Sequence, residues 1–190
     1  FNNTYTDSSA NQRTKSLGFS SGAGFSSANN FFHNFSYTLQ NVETEKLDSN
    51  DNKISSDGGK LLSSIGYRIS KDTRDNRFNP TSGYYYALSE QFAGLGGDIN
   101  YLSSILRGSY YYKYDYIDMV IGLSGEYGNI EGLDENVSKS NRFFLGGRKV
   151  RGFDSSGIGP RVSESSSSSA VGGNNYYAGR VALRSGIGLP

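Results

Sequence analysis

Cysteine and tryptophan are absent from this 190-residue chain, histidine occurs once, and aliphatic residues are sparse beside 15 Tyr, 11 Phe and 25 Gly. Without cysteine there is no disulfide framework and no thiolate, which suits an envelope protein that folds without disulfides and equally a cytosolic one. One histidine and no cysteine leave most nucleophilic and metal mechanisms without their parts. No run approaches the roughly 18 apolar residues that a membrane helix needs, so a helical membrane protein is excluded. An excess of charge of either sign is also lacking: 19 Lys+Arg stand against 18 Asp+Glu, a net +1, and nothing argues for nucleic acid or an acidic substrate. Phe1 is not preceded by a charged leader, an apolar segment or a small-residue cleavage site, and the chain is expected to be an internal piece of a longer protein.

What is present is alternation. Between residues 31 and 39 the odd positions are Phe31, His33, Phe35, Tyr37 and Leu39, while the even ones are mostly Asn, Ser and Thr. That is period two, the mark of a strand with one apolar face. Lys15, Leu17, Phe19, Ala23 and Phe25 repeat it, as do Leu61, Ile65, Tyr67 and Ile69, and then Tyr84, Tyr86, Leu88 and Phe92. Residues 100–114 and 118–129 follow suit, and a last strand is expected from about Tyr176, with Tyr177, Val181 and Leu183 on its apolar face.

The alternating runs are about 9 to 12 residues long, close to what a tilted strand needs to cross a bilayer. Tyr and Phe gather near their ends, at residues 84–86 and 110–116, where amphipathic rings suit the lipid headgroup level. Long polar loops expected at residues 43–60 and 128–175 contrast with tight turns at 26–30 and 115–116. A membrane barrel has this asymmetry, with long outer loops and short periplasmic turns. The fold class expected is therefore all-β, a partial antiparallel transmembrane β-barrel of about eight strands. A soluble sandwich also alternates, but would favour Val, Ile and Leu over this Tyr and Gly excess.

Several motifs invite chemistry. Asp72, Asp75 and their neighbours offer carboxylates at short spacing, yet an Asp/Asn/Pro/Gly cluster ending in Pro80 and Gly83 is turn chemistry, and no metal is expected there. Gly18-Phe19-Ser20-Ser21-Gly22 spells a nucleophile elbow inside an alternating strand, while the histidine, His33, falls on an apolar face; no catalytic residue is expected. Residues 165–169, all serine, are expected at the tip of a long loop. A loop of that length is uncommon unless functional or disordered. If it folds back into a water-filled lumen, Arg151 can make a bidentate bond to a wall carboxylate, Gly152 lets the backbone approach closely and Phe153 anchors it; the alternative is an outward-lying loop with a chance triplet.

Residues 142–161 read Arg-Phe-Phe-Leu-Gly-Gly-Arg-Lys-Val-Arg-Gly-Phe-Asp-Ser-Ser-Gly-Ile-Gly-Pro-Arg. Phe144, Gly146 and Gly147 open this stretch, Arg151-Gly152-Phe153 centres it, and Gly159-Pro160-Arg161 closes it. It resembles the sixth-loop signature of the BamA-type outer-membrane protein assembly factors. Residues 72–84, with Asp72, Arg74, Asp75, Pro80 and Gly83, resemble a periplasmic turn of the same family, and residues 93–98 and 172–177 match it in the same order. The resemblance covers most of residues 61–190, and the first sixty match in pattern only.

The resemblance implies that residues 1–190 are the central part, about strands five to twelve, of a sixteen-strand outer-membrane barrel, with an extracellular loop at 128–175 and no POTRA domain in this chain. It implies folding and insertion of client barrel proteins in a bacterial outer membrane, without catalysis, cofactor or metal. Outer-membrane lipids, unfolded clients and accessory assembly lipoproteins would be the partners, and nucleic acid would not. A secretion barrel of the same superfamily and a passive eight-strand pore are the alternatives. In the family the arginine of the triplet, here Arg151, reaches acidic groups on the inner wall, one of them in a Glu-Leu pair on the strand after the loop. This chain has Ala182-Leu183 there, so Glu126 or an acid beyond Pro190 would have to substitute.

Overall fold

The computed structural model describes residues 2–7, 12–47, 52–147, 149–162 and 170–185; the serine run at 165–169 lies outside the described residues. Eight strands form one antiparallel sheet in sequence order: β1 (Asn2–Asp7), β2 (Gln12–Ser26), β3 (Phe31–Leu47), β4 (Lys53–Asp72), β5 (Gly83–Ala93), β6 (Tyr101–Tyr114), β7 (Met119–Gly132) and β8 (Asn175–Ser185). The sheet is open, with β1 and β8 as its edges.

Register fixes which residues share a face. Ala23, Phe35 and Tyr67 lie opposite one another across β2, β3 and β4, and the same row continues through Glu90 and Ser104 to Asn129 and Asn175. This face carries nearly all the large apolar side chains, and they are exposed: Phe19, Leu106, Tyr112, Tyr177, Val181 and Leu183 among them, with Val181 at 71%. A water-soluble sheet would bury that face, because apolar area removed from water is the main driving force of folding. Here no second layer among the described residues covers it. The opposite face is richer in small and polar residues, and among the described residues its compact core, built from Leu62, Ala93, Tyr101, Ile130 and Val137, lies at the end where the longest loop folds onto it through Phe143.

Three sequence expectations need correction. The polar stretch at 43–60 is not a loop. β3 and β4 run 17 and 20 residues, because beyond the apolar belt the hairpin continues as a charged ladder: buried Glu45 holds Lys15 at 2.8 Å and Lys53 at 3.2 Å, and Lys53 also reaches Glu43 at 3.1 Å. Strands are accordingly longer than the apolar alternation that marks them. Second, the long loop is shorter than 128–175, since β7 pairs with β8 as far as Asn129 and Asn175 and continues to Gly132. Third, the eighth strand is β1, whose six residues pair with the start of β2 and carry no alternation that marks them in advance.

Candidate functional site: a loop seated on the polar face

Even-numbered residues of β7 face the polar side, so Glu126 stands opposite Arg107 of β6 and Ala178 of β8. Arg107 presents its guanidinium fork, Nε to Oε2 at 3.1 Å and Nη2 to Oε1 at 3.4 Å. Tyr176, the second residue of β8, donates its hydroxyl to Glu126 Oε1. Opposite Tyr176 sits Gly128, where a Cβ would fall 2.2 Å from the ring, so glycine is what allows the tyrosine to lie against the wall.

The described parts of the loop between β7 and β8 come down onto this group. Lys149 donates to Glu126 Oε1 at 2.8 Å and sits 4.4 Å above the Tyr176 ring. Phe143 meets the same ring edge-on at 4.7 Å and exchanges two backbone hydrogen bonds of 2.9 Å with Gly173, zipping the loop's two arms together. One carboxylate thus gathers a wall arginine, a wall tyrosine and a loop lysine.

The residues of the quoted signature fold the loop upon itself. Gly146 has φ +133° and a Cβ there would lie 2.0 Å from the Asp154 carbonyl, so the chain doubles back in contact with its own backbone. Gly147 N–H donates to the Phe153 carbonyl at 2.9 Å, Leu145 pairs with Ile158, and Val171 N–H donates to the Pro160 carbonyl at 2.8 Å. Gly152 and Gly159 turn with φ +91° and +122°, Arg161 pairs with Ala170, and Phe144 packs against Gly172. Arg151 and Phe153 are exposed, and among the described residues Arg151 makes no ion pair. The structure therefore brings Lys149, rather than Arg151, to Glu126. Sequence reasoning passed over Lys149, although it lies two residues from Arg151 in a cationic stretch.

At the opposite end of the sheet the turn between β4 and β5 is laced internally. Asp72 takes a bidentate pair from Arg74, both bonds 2.8 Å, with Arg77 at 3.5 Å, and the Arg74 guanidinium stacks on Tyr85 at 4.9 Å. Asp75 accepts from the Thr81 hydroxyl at 2.6 Å and from the backbone N–H groups of Thr81 and Ser82, and these bonds hold its carboxyl well below the usual carboxylate range. Gly83 closes the turn at φ +94°. Asn79 and the carbonyl of buried Pro80 both accept from Arg184 of β8, tying the turn across the polar face to that strand. His33 lies on the apolar face between the Ser27 and Tyr67 hydroxyls, each at 2.9 Å, whereas Ser20 on the polar face accepts from Thr38, so the elbow pattern has no base beside it.

The Omp85 superfamily domain matches residues 1–189. The outer membrane protein assembly factor BamA of Neorickettsia risticii (strain Illinois) is 33% identical over 157 residues, which are 82% of this chain and 21% of that protein. A SAM50-like protein of Schizosaccharomyces pombe is 33% identical over 132 residues, 66% of this chain and 27% of its own length. The crystal structure of BamA from Haemophilus ducreyi lacking POTRA domains 1–3 superposes with a TM-score of 0.79 at 18% identity, covering 96% of this chain and 39% of that one. The chain spans about a quarter of the length of these curated relatives. An open antiparallel sheet with its apolar face outward, a loop folded onto its polar face, and a match running nearly end to end identify the chain as a member of the Omp85 superfamily, with the fold of part of a BamA-type outer-membrane β-barrel.

Proposed function

We propose that residues 1–190 form the central part of a bacterial outer-membrane barrel, about strands five to twelve, that folds and inserts client barrel proteins. The observation that carries the reading is the seated loop: Lys149 on Glu126 and Phe143 on Tyr176 hold the signature segment against the polar face of the sheet. In this reading the apolar face meets outer-membrane lipid, the polar face lines a lumen, the long loop is extracellular and the short turns are periplasmic. The work is done by geometry and bilayer energetics, with no covalent step, cofactor or metal. The outer edges of β1 and β8 pair with further strands of the whole protein, and client strands are templated elsewhere, at a seam between its first and last strands, by edge pairing. Unfolded clients and accessory lipoproteins are the partners.

The test is replacement of the native copy, in depleted cells, by full-length protein carrying Lys149→Met and Arg151→Ala together. Client barrels should fall in the outer membrane while the variant itself still runs as a heat-modifiable barrel. Normal client levels with the loop demonstrably detached would overturn the assembly reading, and loss of a single exported protein with clients intact would replace it with secretion.

A further inference from the structure

Within the apolar belt of the exposed face a carboxylate of β5 interrupts the pattern, and Glu131 of β7, opposite Leu102, shares that face nearer the loop end. Glu90 of β5 shares that face with its strand neighbours Leu88 and Phe92, and faces Tyr67 of β4 and Ser104 of β6. The Ser104 hydroxyl donates to Glu90 Oε2 at 2.5 Å. The Tyr67 hydroxyl is engaged by His33 Nδ1 at 2.9 Å instead. Among the described residues no lysine or arginine pairs with Glu90, and Oε1 has no protein donor. Beside it opens a groove of about 530 Å³, lined chiefly by Phe35, Tyr37, Ile65, Tyr67, Phe92 and Leu102. Its volume is within the range of small-molecule sites, and its wall is apolar with one convergent anionic group.

We propose that Glu90 and this groove bind one phospholipid with a primary-ammonium headgroup. The acyl chain lies along Phe35 and Tyr67, in the row of Glu90 itself, and the ammonium donates to the open Oε1. The occupant follows from where the groove lies and what it lacks. On a lipid-facing surface the molecules at hand are lipids, and an anion set among apolar side chains is disfavoured unless a cation pairs with it. A primary ammonium supplies both charge and N–H donors, a trimethylated headgroup supplies charge alone, and an anionic headgroup meets repulsion. Glu90 stands one inward-outward repeat below Phe92, near the edge of the belt where headgroups begin, so an ammonium reaches it without entering the bilayer centre.

The inference rests on the lipid-facing reading of the apolar face, and the experiment separates the two. Full-length protein is placed in nanodiscs of phosphatidylethanolamine, phosphatidylcholine and phosphatidylglycerol in equal parts, and retained lipid is counted by native mass spectrometry. Wild type should retain phosphatidylethanolamine over phosphatidylcholine by about tenfold, the discrimination one charge-assisted hydrogen bond supplies, and Glu90→Gln should abolish it. Equal retention, or a preference untouched by Glu90→Gln, overturns the site. A photoreactive benzoylphenylalanine at position 102 tests the face alone. Lipid adducts uphold the lipid-facing reading whatever the retention ratio, while a protein adduct assigns the groove to a polypeptide and overturns the proposal. Glu90→Gln keeps size and shape at a half-buried position, and heat-modifiable migration verifies that it folds.

Discussion

Replacing Lys149 by methionine keeps the length of the side chain and removes its charge from Glu126. The lysine contributes one 2.8 Å ion pair, a 3.2 Å hydrogen bond to the Tyr176 hydroxyl and a contact over the Tyr176 ring. A fully buried charge-assisted bond is worth about 1.5–3 kcal/mol, but the lysine side chain is 41% exposed, so screening reduces it to about 1 kcal/mol, with about 0.5 kcal/mol more from the ring. A loss of about 1.5 kcal/mol raises the fraction of detached loop by about tenfold. Hydrogen exchange on the full-length protein in nanodiscs reads this at the amides of Phe143, Gly147 and Gly173, whose bonds exist only while the loop is folded. Glu126→Gln strips the partner from Arg107 as well and should act more strongly, by roughly 2 kcal/mol. In the double variant the two effects should fall short of additive by about 1 kcal/mol, because both remove the same contact. Wild-type exchange in Lys149→Met, together with faster exchange in Arg151→Ala, would refute the reasoning and return the anchor to the arginine.

The turn between β4 and β5 gives the remaining tests. Gly83→Ala places a Cβ 2.4 Å from the Thr73 carbonyl at φ +94°, and should cost about 1–3 kcal/mol in urea unfolding, whereas Gly108→Ala, with nothing within 4 Å, should change it by less than about 0.5 kcal/mol. Asp75 has its folded-state pKa below the ordinary 3.8, so its contribution is present above that value and is lost as pH falls below it; protease cutting within 73–82 should rise only below about pH 4, and Asp75→Asn should raise cutting at neutral pH and flatten the dependence. Arg184→Gln removes the tie to Asn79 and Pro80, and exchange should quicken in that turn while β4 and β5 keep their protection.

How much of this was legible in the sequence depended on whether a residue's role is set by its neighbours in the chain or by those across the sheet. Period-two alternation is local, so Phe35, Tyr67 and Val181 were assigned their face directly. The charged hairpin at 43–60 was misread because Glu43, Glu45 and Lys53 look like a solvated loop until cross-strand register makes them partners. The turn at 72–83 was read from Asp, Asn, Pro and Gly, whose backbone effects are local; its bond to Arg184, more than a hundred residues onward, was not. Lys149 was missed for the same reason, since its meaning comes from Glu126 and Tyr176. Glu90 was hidden in plain alternation, a polar residue at an apolar step.

The two loop and turn signatures, far apart in sequence and at opposite ends of the sheet, converge on one strand. Within this chain β8 is hydrogen-bonded to β7, and its outward side chains bury little against the other described strands. Tyr176 at its start joins the Glu126 and Lys149 group, and Arg184 near its end joins the turn at Asn79 and Pro80. The position of the acid explains which loop residue serves. Ala182 pairs with Gly122, whereas Glu126 pairs with Ala178, four residues or about 14 Å nearer the loop end of the wall. At Glu126 the acid is met by the arm of the loop that carries Lys149. With alanine at 182 and glutamate at 126, the wall contact is made by Lys149, and Arg151 is left exposed.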